Sequence, residues 1–165
     1  MNQSALRTRT ATLADDTELA RLDASGWSPE IEVVPANDPA SPFFTSFRSP
    51  QDVIVACEDE TIAGYAHLAR HIPIRKNKHV LHLNSLVVAP HQRGRGISHQ
   101  LVDATIAEAR RRGVQKLGLR ALSTNTVAVT LYQQHGFAVE GQLRREFQQP
   151  DGGWADDVWM ALFLD

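Results

Sequence analysis

The stretch from residue 79 to residue 112 constrains the fold of this chain more than any other part of the sequence. An apolar run from Val80 to Ala89 stops at Pro90 and is followed by a basic turn that contains Gly94 and Gly96. After the turn, apolar side chains recur every three to four residues, which is typical of a helix with one buried face. The pattern predicts a buried strand, a glycine turn and an amphipathic helix in direct succession.

A turn of this kind is suited to bind an anion. The first amide groups of a helix have no acceptor within the helix, and the helix N-terminus has a partial positive charge. Gly94 and Gly96 allow backbone conformations close to a ligand that a side chain would hinder, and Arg93 and Arg95 add full positive charges. We therefore expect the amides of residues 93–98 to hold a phosphate or pyrophosphate group.

Two common nucleotide-binding patterns do not fit this turn. It lacks the Gly-Lys-Ser/Thr sequence that the P-loop of nucleotide triphosphatases requires. A dinucleotide-binding Gly-x-Gly-x-x-Gly would need a third glycine where His99 stands. Taken alone, the Gly-x-Gly pair is equally compatible with a solvated basic turn that only reverses the chain.

The wider context of the turn resembles the acetyl-CoA signature of the GNAT superfamily of N-acetyltransferases. In that family, Gln/Arg-x-x-Gly-x-Gly/Ala joins the fourth strand to a helix and grips the CoA pyrophosphate, and residues 92–96 match it without a gap. A second family motif, Asn-x-x-Ala-x-x-x-Tyr-x-x-x-Gly-Phe, is matched by Asn125, Ala128, Tyr132 and Gly136-Phe137. Two motifs in the right order and at the expected separation arise by chance far less readily than either alone.

The resemblance implies an α/β (α+β) fold with a mixed, mostly antiparallel central sheet of six or seven strands, splayed at the middle and flanked by about four helices. We expect the splay between the strands at 80–88 and 116–121, where the acetyl-pantetheine arm would enter. Residue patterns by themselves predict a hairpin at 52–71, a helix after the Asp15-Asp16 pair and two strands in the segment 138–165.

Composition sets further limits on the function. The 165 residues are enough for a sizeable core, and we interpret residues 1–165 as a single GNAT-like acetyltransferase domain. A net charge of −2 provides no global basic field for nucleic acid, and the single Cys57 excludes an internal disulfide and a cysteine metal cluster. Since the chain shows neither a signal core nor a run of membrane-spanning length, we expect a cytoplasmic protein without membrane or nucleic-acid partners.

The resemblance also assigns the residues around acetyl-CoA and implies no metal. Backbone groups of the strand end would bind this co-substrate, with an amide near Val87 polarising the thioester carbonyl as a modest oxyanion hole. Asn125 resembles the residue that contacts the pantetheine arm, although its position before a helix predicts an N-cap equally well. The complete set consists of Leu86, Val87, Val88, Arg93, Gly94, Arg95, Gly96, Ile97, Ser98, Asn125, Ala128 and Tyr132.

Acetyl transfer to an amine needs a neutral nucleophile, a stabilised carbonyl oxygen and a proton for the leaving thiolate. Tyr132 is the candidate general acid, because it matches the tyrosine whose hydroxyl lies near the CoA sulfur in GNAT proteins. It also lies about two turns after Asn125, so the two share one helix face. A tyrosine that only forms part of the core or the wall is the alternative.

The general base is where this sequence departs from the GNAT pattern. Many members have a glutamate or aspartate on the fourth strand, where this chain reads His82-Leu83-Asn84-Ser85. Alternation along a strand puts His82 and Asn84 on one face. We therefore consider His82 as the base, because of its intrinsic pKa, and Asn84 as a residue that positions water, while a structural histidine is the alternative. The other candidates are Glu30, Glu32 and His67.

These features predict an N-acetyltransferase that moves an acetyl group from acetyl-CoA to the primary amine of a small molecule, such as an amino acid, by direct transfer in a ternary complex. The alternatives are a protein N-terminal or lysine acetyltransferase and a non-catalytic acyl-CoA-binding sensor. A homodimer is compatible with the resemblance. The proline-rich segment 28–50 is expected to be a loop, either pinned to the core by its phenylalanines or covering the acceptor pocket as a lid.

Overall fold

The computed structural model describes residues 6–28, 31 and 37–164. The strands in this part of the chain are β1 (Arg7–Thr10), β2 (Val53–Glu58), β3 (Thr61–Ala69), β4 (Val80–Val88), β5 (Lys116–Leu122), β6 (Ala138–Gln148) and β7 (Trp154–Phe163). The α-helices are α1 (Asp16–Gly26), α2 (Ile97–Arg111) and α3 (Thr126–Gln134). Short 3-10 turns lie at Leu13–Asp15, Pro50–Asp52, Arg75–Asn77 and Pro90–Gln92.

The seven strands form one sheet in the order β1-β2-β3-β4-β5-β7-β6. Every neighbouring pair in it is antiparallel except β4 and β5, which run parallel. Helix α2 supplies the crossover that a parallel pair requires. The predicted mixed, mostly antiparallel sheet is confirmed, with three α-helices in the described residues where about four were expected.

The sheet splays between β4 and β5. These two strands pair only from Val80 opposite Lys116 to Leu83 opposite Leu119. Beyond that point β4 continues beside β3, and β5 continues beside β7 as far as Leu122. The second half of β4 therefore has a strand neighbour on one side only, as the resemblance implied.

A β-bulge in β4 lies at the start of the splay. Ser85 is opposite His67 of β3 and Leu83 is opposite Leu68, so the residue between them, Asn84, is the extra residue of the bulge. A bulge bends its strand and increases the local twist. This bend turns the end of β4 away from the straight path that β5 follows.

The bulge also reverses the side-chain alternation of β4. Leu81 and Leu83 before it and Leu86 and Val88 after it pack against the same core cluster, although their numbers differ in parity. Val87 packs into the cluster on the opposite face. The alternation that the sequence analysis applied to His82 and Asn84 therefore holds up to Asn84, where both side chains contact His71, and changes phase beyond it because one residue is inserted.

Two apolar layers hold the helices on the sheet. The first packs α2 and α3 against one face, and the four-residue period predicted for α2 is confirmed because its members are all buried: Ile97, Leu101, Thr105 and Ala109. The second packs Leu19 and Leu22 of α1 on the other face. Each fully buried leucine contributes about 1.5–3 kcal/mol, so both faces of the sheet are anchored.

The described part of the proline-rich segment is pinned to the core by Phe43, with the half-buried Phe44 packed beside it. Phe43 is only 3% exposed, and its ring lies edge-on to Tyr65 of β3 with the centroids 5.0 Å apart. Phe47, by contrast, is 92% exposed. Residues 29–30 and 32–36 of this segment, including the candidate bases Glu30 and Glu32, lie outside the described residues.

Within the described ranges, no helix is both long enough and apolar enough to cross a membrane.

Candidate active site

The glycine turn has the conformation that its sequence requires. Gly94 and Gly96 both have a φ of +76°, and Gly96 is the N-cap of α2. A side chain at either position would be strained by this φ, although a Cβ there would meet no atom within 4 Å. The two glycines are therefore needed for backbone geometry, and the surface of the turn is open to a ligand.

The two arginines of the turn differ in their surroundings. Arg93 lines the groove described below. Arg95 donates to both carboxylate oxygens of Glu58 in β2, with Nη1 2.9 Å from Oε2, and also to Gln92. This bond lowers the pKa of the Glu58 carboxyl. The charge of Arg95, expected to add to the anion site, is balanced by Glu58 in this structure.

A groove of about 770 Å³ runs from the glycine turn into the splay of the sheet. Its lining includes these residues of the predicted acetyl-CoA site: Leu86, Val87, Val88, Arg93, Gly94, Gly96, Ile97, Ser98, Asn125, Ala128 and Tyr132. Of the predicted set, only Arg95 is not among the lining residues. Two motifs that are distant in sequence are thus brought to one concave surface.

Helix α3 forms one wall of the groove and begins at a side-chain cap. The Oδ1 atom of Asn125 accepts a hydrogen bond from the Ala128 amide at 3.1 Å, so Asn125 is an N-cap as well as a lining residue. Tyr132 is 7% exposed, and its ring packs at an angle against Phe137 with the centroids 5.8 Å apart. The Tyr132 ring is therefore held in place where it borders the groove.

A hydrogen-bonded chain joins the two helices beside the groove. The Nδ1 atom of His99, in the first turn of α2, is 3.0 Å from Nε2 of His135. The other ring nitrogen of His135 is 3.0 Å from Oδ1 of Asp103. Since His99 lines the groove, this chain couples the start of α2 to the end of α3.

A second cavity, of about 570 Å³ and here called the α1 cavity, lies next to the groove. Its walls come from α1, from the loop that precedes β2, and from strands β3, β4, β5 and β7. Asp23 of α1 is its organising carboxylate: it accepts hydrogen bonds from the Tyr65 hydroxyl and from Asn37 Nδ2 (2.6 Å), and Arg48 lies 3.7 Å away. Asp23 is one of several acidic residues in α1, so the sequence offered no signal for it.

The opposite wall of the α1 cavity holds a buried ion pair. Asp157 of β7 is 2% exposed and accepts hydrogen bonds from Arg120 Nε and from Trp159 Nε1, each at 2.9 Å. The carboxylate is therefore engaged by donors from β5 and β7. This arrangement indicates that Asp157 stabilises the β5–β7 pair.

Asn84 lies where the cavities meet. It lines the groove, the α1 cavity and a third cavity near the end of β3. Its Oδ1 is hydrogen-bonded to Nε2 of His71 at 3.1 Å, and His71 also lines the α1 cavity. The extra residue of the bulge thus projects a polar side chain, with a histidine attached to it, to the junction.

His82 has a different setting from the one expected of a base. Its ring stacks on His71, with centroids 3.9 Å apart, and packs so closely on Gly118 that a Cβ there would lie 2.8 Å from it. Its Nδ1 is buried without a hydrogen-bond partner, and burial lowers its pKa to about 4. His82 is absent from the lining of the groove and both cavities, although its ring and the Asn84 side chain both contact His71.

His71, which the sequence analysis did not consider, lines the α1 cavity that His82 does not reach. It follows the end of β3, whereas the sequence predicted that the strand continued through residue 71. The remaining candidate, His67, is 4% exposed with neither ring nitrogen hydrogen-bonded, and burial lowers its pKa to about 4. Within the described ranges, no three histidine, cysteine or carboxylate side chains are grouped so as to hold a metal ion.

Comparison with known proteins identifies the family. The family model of the acetyltransferase (GNAT) family matches residues 18–137, which is more than half of the chain. The L-methionine sulfoximine/L-methionine sulfone acetyltransferase of Pseudomonas aeruginosa is 30% identical over 124 residues, which are 74% of this chain and 71% of that relative. The ribosomal protein bS18-alanine N-acetyltransferase of Escherichia coli is 32% identical over 80 residues, which are 48% of this chain and 53% of that relative.

Solved structures share the fold. The yncA protein of Salmonella typhimurium, solved with its cofactor acetyl-CoA, has a TM-score of 0.80 at 23% identity, over 98% of this chain and 95% of that one. A GCN5-related N-acetyltransferase from Kribbella flavida has a TM-score of 0.77 at 28% identity, over 97% and 98% of the two chains. With the family model and a relative that spans most of its length, this chain belongs to the GNAT family of acetyltransferases.

Proposed function

We propose that this protein transfers an acetyl group from acetyl-CoA to the primary amine of a small molecule, an amino acid or a similar amine, by direct transfer in a ternary complex. The proposal rests on one observation above all. The groove and the α1 cavity share the β4 residues Leu83, Asn84, Ser85 and Val87, so a donor and an acceptor would be bound side by side along one strand segment.

The groove has the chemical features that acetyl-CoA requires. At one end, the open glycine turn and Arg93 suit a pyrophosphate. Further in, residues 86–88 are paired with β3 on one side and have left β5 on the other. Their backbone groups on the free side would therefore bind the pantetheine arm, and an amide near Val87 would stabilise the carbonyl oxygen as it gains charge.

His71, held by Asn84, is the proposed general base. Its Nε2 is hydrogen-bonded to Asn84 and its ring stacks on His82, which leaves Nδ1 to accept a proton from the amine directly or through a water. His82, the base considered from the sequence, would then orient the His71 ring.

In the proposed reaction the amine nitrogen attacks the thioester carbonyl carbon and loses a proton to His71. The carbon–sulfur bond breaks as the acetyl–nitrogen bond forms, and the Tyr132 hydroxyl supplies a proton to the leaving sulfur. Cys57 is buried, and burial raises the pKa of its thiol, so it is a poor nucleophile for an acetyl-enzyme intermediate. Direct transfer is the consistent route.

The acceptor class is supported by the relatives and by the shape of the site. The Pseudomonas aeruginosa relative acetylates amino-acid analogues, and the Escherichia coli relative acetylates an alanine of a ribosomal protein. The α1 cavity, at about 570 Å³, has the size of a small-molecule pocket. A protein N-terminus is the second candidate acceptor, because half of this chain aligns with the ribosomal-protein enzyme.

A steady-state assay tests the proposal. Release of free CoA would be measured while acetyl-CoA and the acceptor are varied together, with free amino acids, simple amines and short peptides as acceptors. Intersecting double-reciprocal lines, acetylated product and unmodified Cys57 in the protein's mass spectrum are expected. Parallel lines with acetylated Cys57 would contradict direct transfer. Acetyl-CoA binding without transfer to any amine would support a sensor instead.

A further inference from the structure

A third cavity, of about 530 Å³, lies at the end of β3 and adjoins the α1 cavity. We call it the β3 cavity, and its polar lining includes Thr45, Arg48, Asp52, His67, Arg70 and Arg112. Arg48 and Asn84 line both the β3 cavity and the α1 cavity. A molecule that presents an amine at Asn84 would therefore have the β3 cavity within its immediate surroundings.

The three arginines in the wall of the β3 cavity differ in how far carboxylates neutralise them. Arg112 is paired with two, Asp52 and Glu108, each at 2.7 Å. Arg70 donates to two backbone carbonyls, one of them that of Val80 at 3.0 Å, and these carry no compensating negative charge. The charge of Arg70 would therefore help to attract an anion.

Arg48 makes only a long contact with a carboxylate. Its Nη1 is 3.7 Å from the Asp23 carboxylate, longer than a hydrogen bond, while its guanidinium group lies over the Phe43 ring at 4.3 Å. Stacking on the aromatic ring fixes the position of the guanidinium without using its donors. Among the described residues those donors have no hydrogen-bond acceptor, so they can form the planar, two-pronged contact that arginine makes with carboxylates.

His67 adds a buried polar group that the protein itself leaves unsatisfied. It is 4% exposed, lines the β3 cavity, and neither of its ring nitrogens has a hydrogen-bond partner. Buried polar groups are nearly always satisfied, and an exception calls for an explanation. Burial and the nearby charge of Arg48 lower its pKa to about 4, so the ring is neutral near pH 7 and offers one N–H donor.

We propose that the β3 cavity binds the anionic group of the acceptor, a carboxylate or an equivalent oxyanion, through the Arg48 guanidinium and the His67 N–H. This inference rests on the proposed acetyl transfer and narrows its acceptor to amines that bear an anionic group close to the nitrogen, as a free α-amino acid does. A simple amine lacks that group. In a peptide N-terminus the same carboxyl group is an uncharged amide.

A matched pair of acceptors tests the inference. L-methionine and its decarboxylated amine differ only in the carboxylate, so kcat/KM for each would be measured on the wild type, Arg48→Gln, Arg48→Lys and His67→Leu. Arg144→Gln, an exposed arginine on β6, is the control variant. Acetyl-CoA affinity and thermal stability would be followed in every variant, to separate acceptor binding from misfolding.

We expect the wild type to prefer L-methionine and Arg48→Gln to lose at least about 10-fold in kcat/KM for it, the usual effect of removing a charged hydrogen bond. The loss should appear in KM, be partly restored in Arg48→Lys, and be absent for the decarboxylated amine. His67→Leu should raise the KM for L-methionine in the same selective way. Equal activity on both acceptors, or equal losses for both, would overturn the inference while leaving acetyl transfer intact.

Failure of the proposed function would look different. If no amine were acetylated by the wild type, binding of L-methionine and of the decarboxylated amine would be measured by calorimetry in the presence of CoA. Selective binding of L-methionine that is lost in Arg48→Gln would support the anion site even without turnover. Binding of neither compound would overturn it.

Discussion

The glycine turn is built in the opposite way from the α1 and β3 cavities. The turn is one uninterrupted stretch that uses backbone amides, two left-handed glycines and a helix N-terminus. The α1 and β3 cavities instead collect side chains from α1, the loop before β2, and strands β3, β4, β5 and β7. The geometry of the glycine turn depends on the backbone conformation of neighbouring residues. The geometry of the two cavities depends on the packing of segments that are distant in sequence.

This difference shows how a single fold can keep one donor while its acceptor changes. A backbone site needs only the few residues that permit its conformation, so it is insensitive to most substitutions around it. A site made of side chains changes when any contributing residue does, as Asp23, Arg48 and His71 illustrate here. The predictions below exploit this contrast, since each pairs a change in one region with a matched change in the other or elsewhere.

The largest effect is expected at the turn. A Gly94→Asp, Gly96→Asp double variant forces side chains into a φ of +76° at two positions and adds negative charge at the anion site. Each strained residue costs about 1–3 kcal/mol, so acetyl-CoA affinity should fall by at least about 100-fold. Isothermal calorimetry would measure it.

Gly152→Asp is the control for the turn variants. Gly152 has a φ of +84° in the β6–β7 hairpin and does not line the groove. An aspartate at this position therefore introduces similar backbone strain and negative charge away from the groove. Its acetyl-CoA affinity should equal that of the wild type. Equal losses in both variants would mean that general destabilisation, and not the anion site, explains the effect.

The next effect separates two tyrosines, one in each region. Tyr132→Phe removes the proposed acid in the groove, and kcat should fall by about 100-fold with unchanged acetyl-CoA affinity. Tyr65→Phe removes the donor to Asp23 but keeps a ring that is fully buried. It should raise the acceptor KM by roughly 3–10-fold and leave kcat unchanged.

Steady-state kinetics and calorimetry on the same preparations would check the tyrosine pair. Should Tyr132→Phe retain full turnover, Tyr132 would only form part of the groove wall, and the proton for the leaving thiolate would come from water. Should Tyr65→Phe reduce kcat and leave the acceptor KM alone, the division between the two regions would be incorrect.

The smallest effect concerns the stability of the folded protein at acidic pH, and it compares one carboxylate beside α1 with one in α2. Arg9 lowers the pKa of Asp15, beside α1, from 3.8 to about 2, and Arg111 with Arg112 lowers that of Glu108, in α2, from 4.5 to about 2. Because the folded pKa is depressed, each carboxylate stabilises the fold above its ordinary pKa. That contribution is lost as the pH falls from about 4.5 towards 2.

Asp15→Asn and Glu108→Gln should each lower the free energy of unfolding by about 1–2 kcal/mol at pH 7, after allowance for solvent screening of the exposed guanidinium groups. The difference from wild type should shrink progressively below pH 4. Urea denaturation across this range would measure it, with the exposed Glu146→Gln as a control that should match the wild type. A difference that did not change with pH would rule out these ion pairs as its source.

Periodicity and motif spacing predicted most of the fold. Residue patterns predicted the hairpin at 52–71, the strand at 80–88 and the two strands in 138–165, and apolar residues three to four positions apart predicted α2. The predicted N-cap at Asn125 begins α3. These signals are local, because the energy of a buried face or a helix cap depends on residues a few positions apart. The β4–β5 splay was expected from the family resemblance and not from any such local signal.

The sequence was least informative about the side chains around Asn84. Alternation assigned His82 and Asn84 to one face, and both side chains contact His71. The bulge at Asn84 changes the phase of β4 beyond it, and His71, which follows β3, lines the α1 cavity where His82 does not. A bulge has no clear signature in a single strand, because it is defined by the register with the neighbouring strand.

The sequence by itself determined the glycine turn and its surroundings: a strand, a turn whose φ angles only glycine tolerates well, and a helix whose N-terminus opens on the groove. Those features follow from steric and hydrogen-bond rules that act within a few residues. Only the tertiary structure decided the α1 and β3 cavities, where Arg48 stacks on Phe43, the ring nitrogens of His67 are buried without a hydrogen-bond partner among the described residues, and Asn84 joins three cavities. Such neighbours are set by the packing of distant segments, which local sequence does not encode.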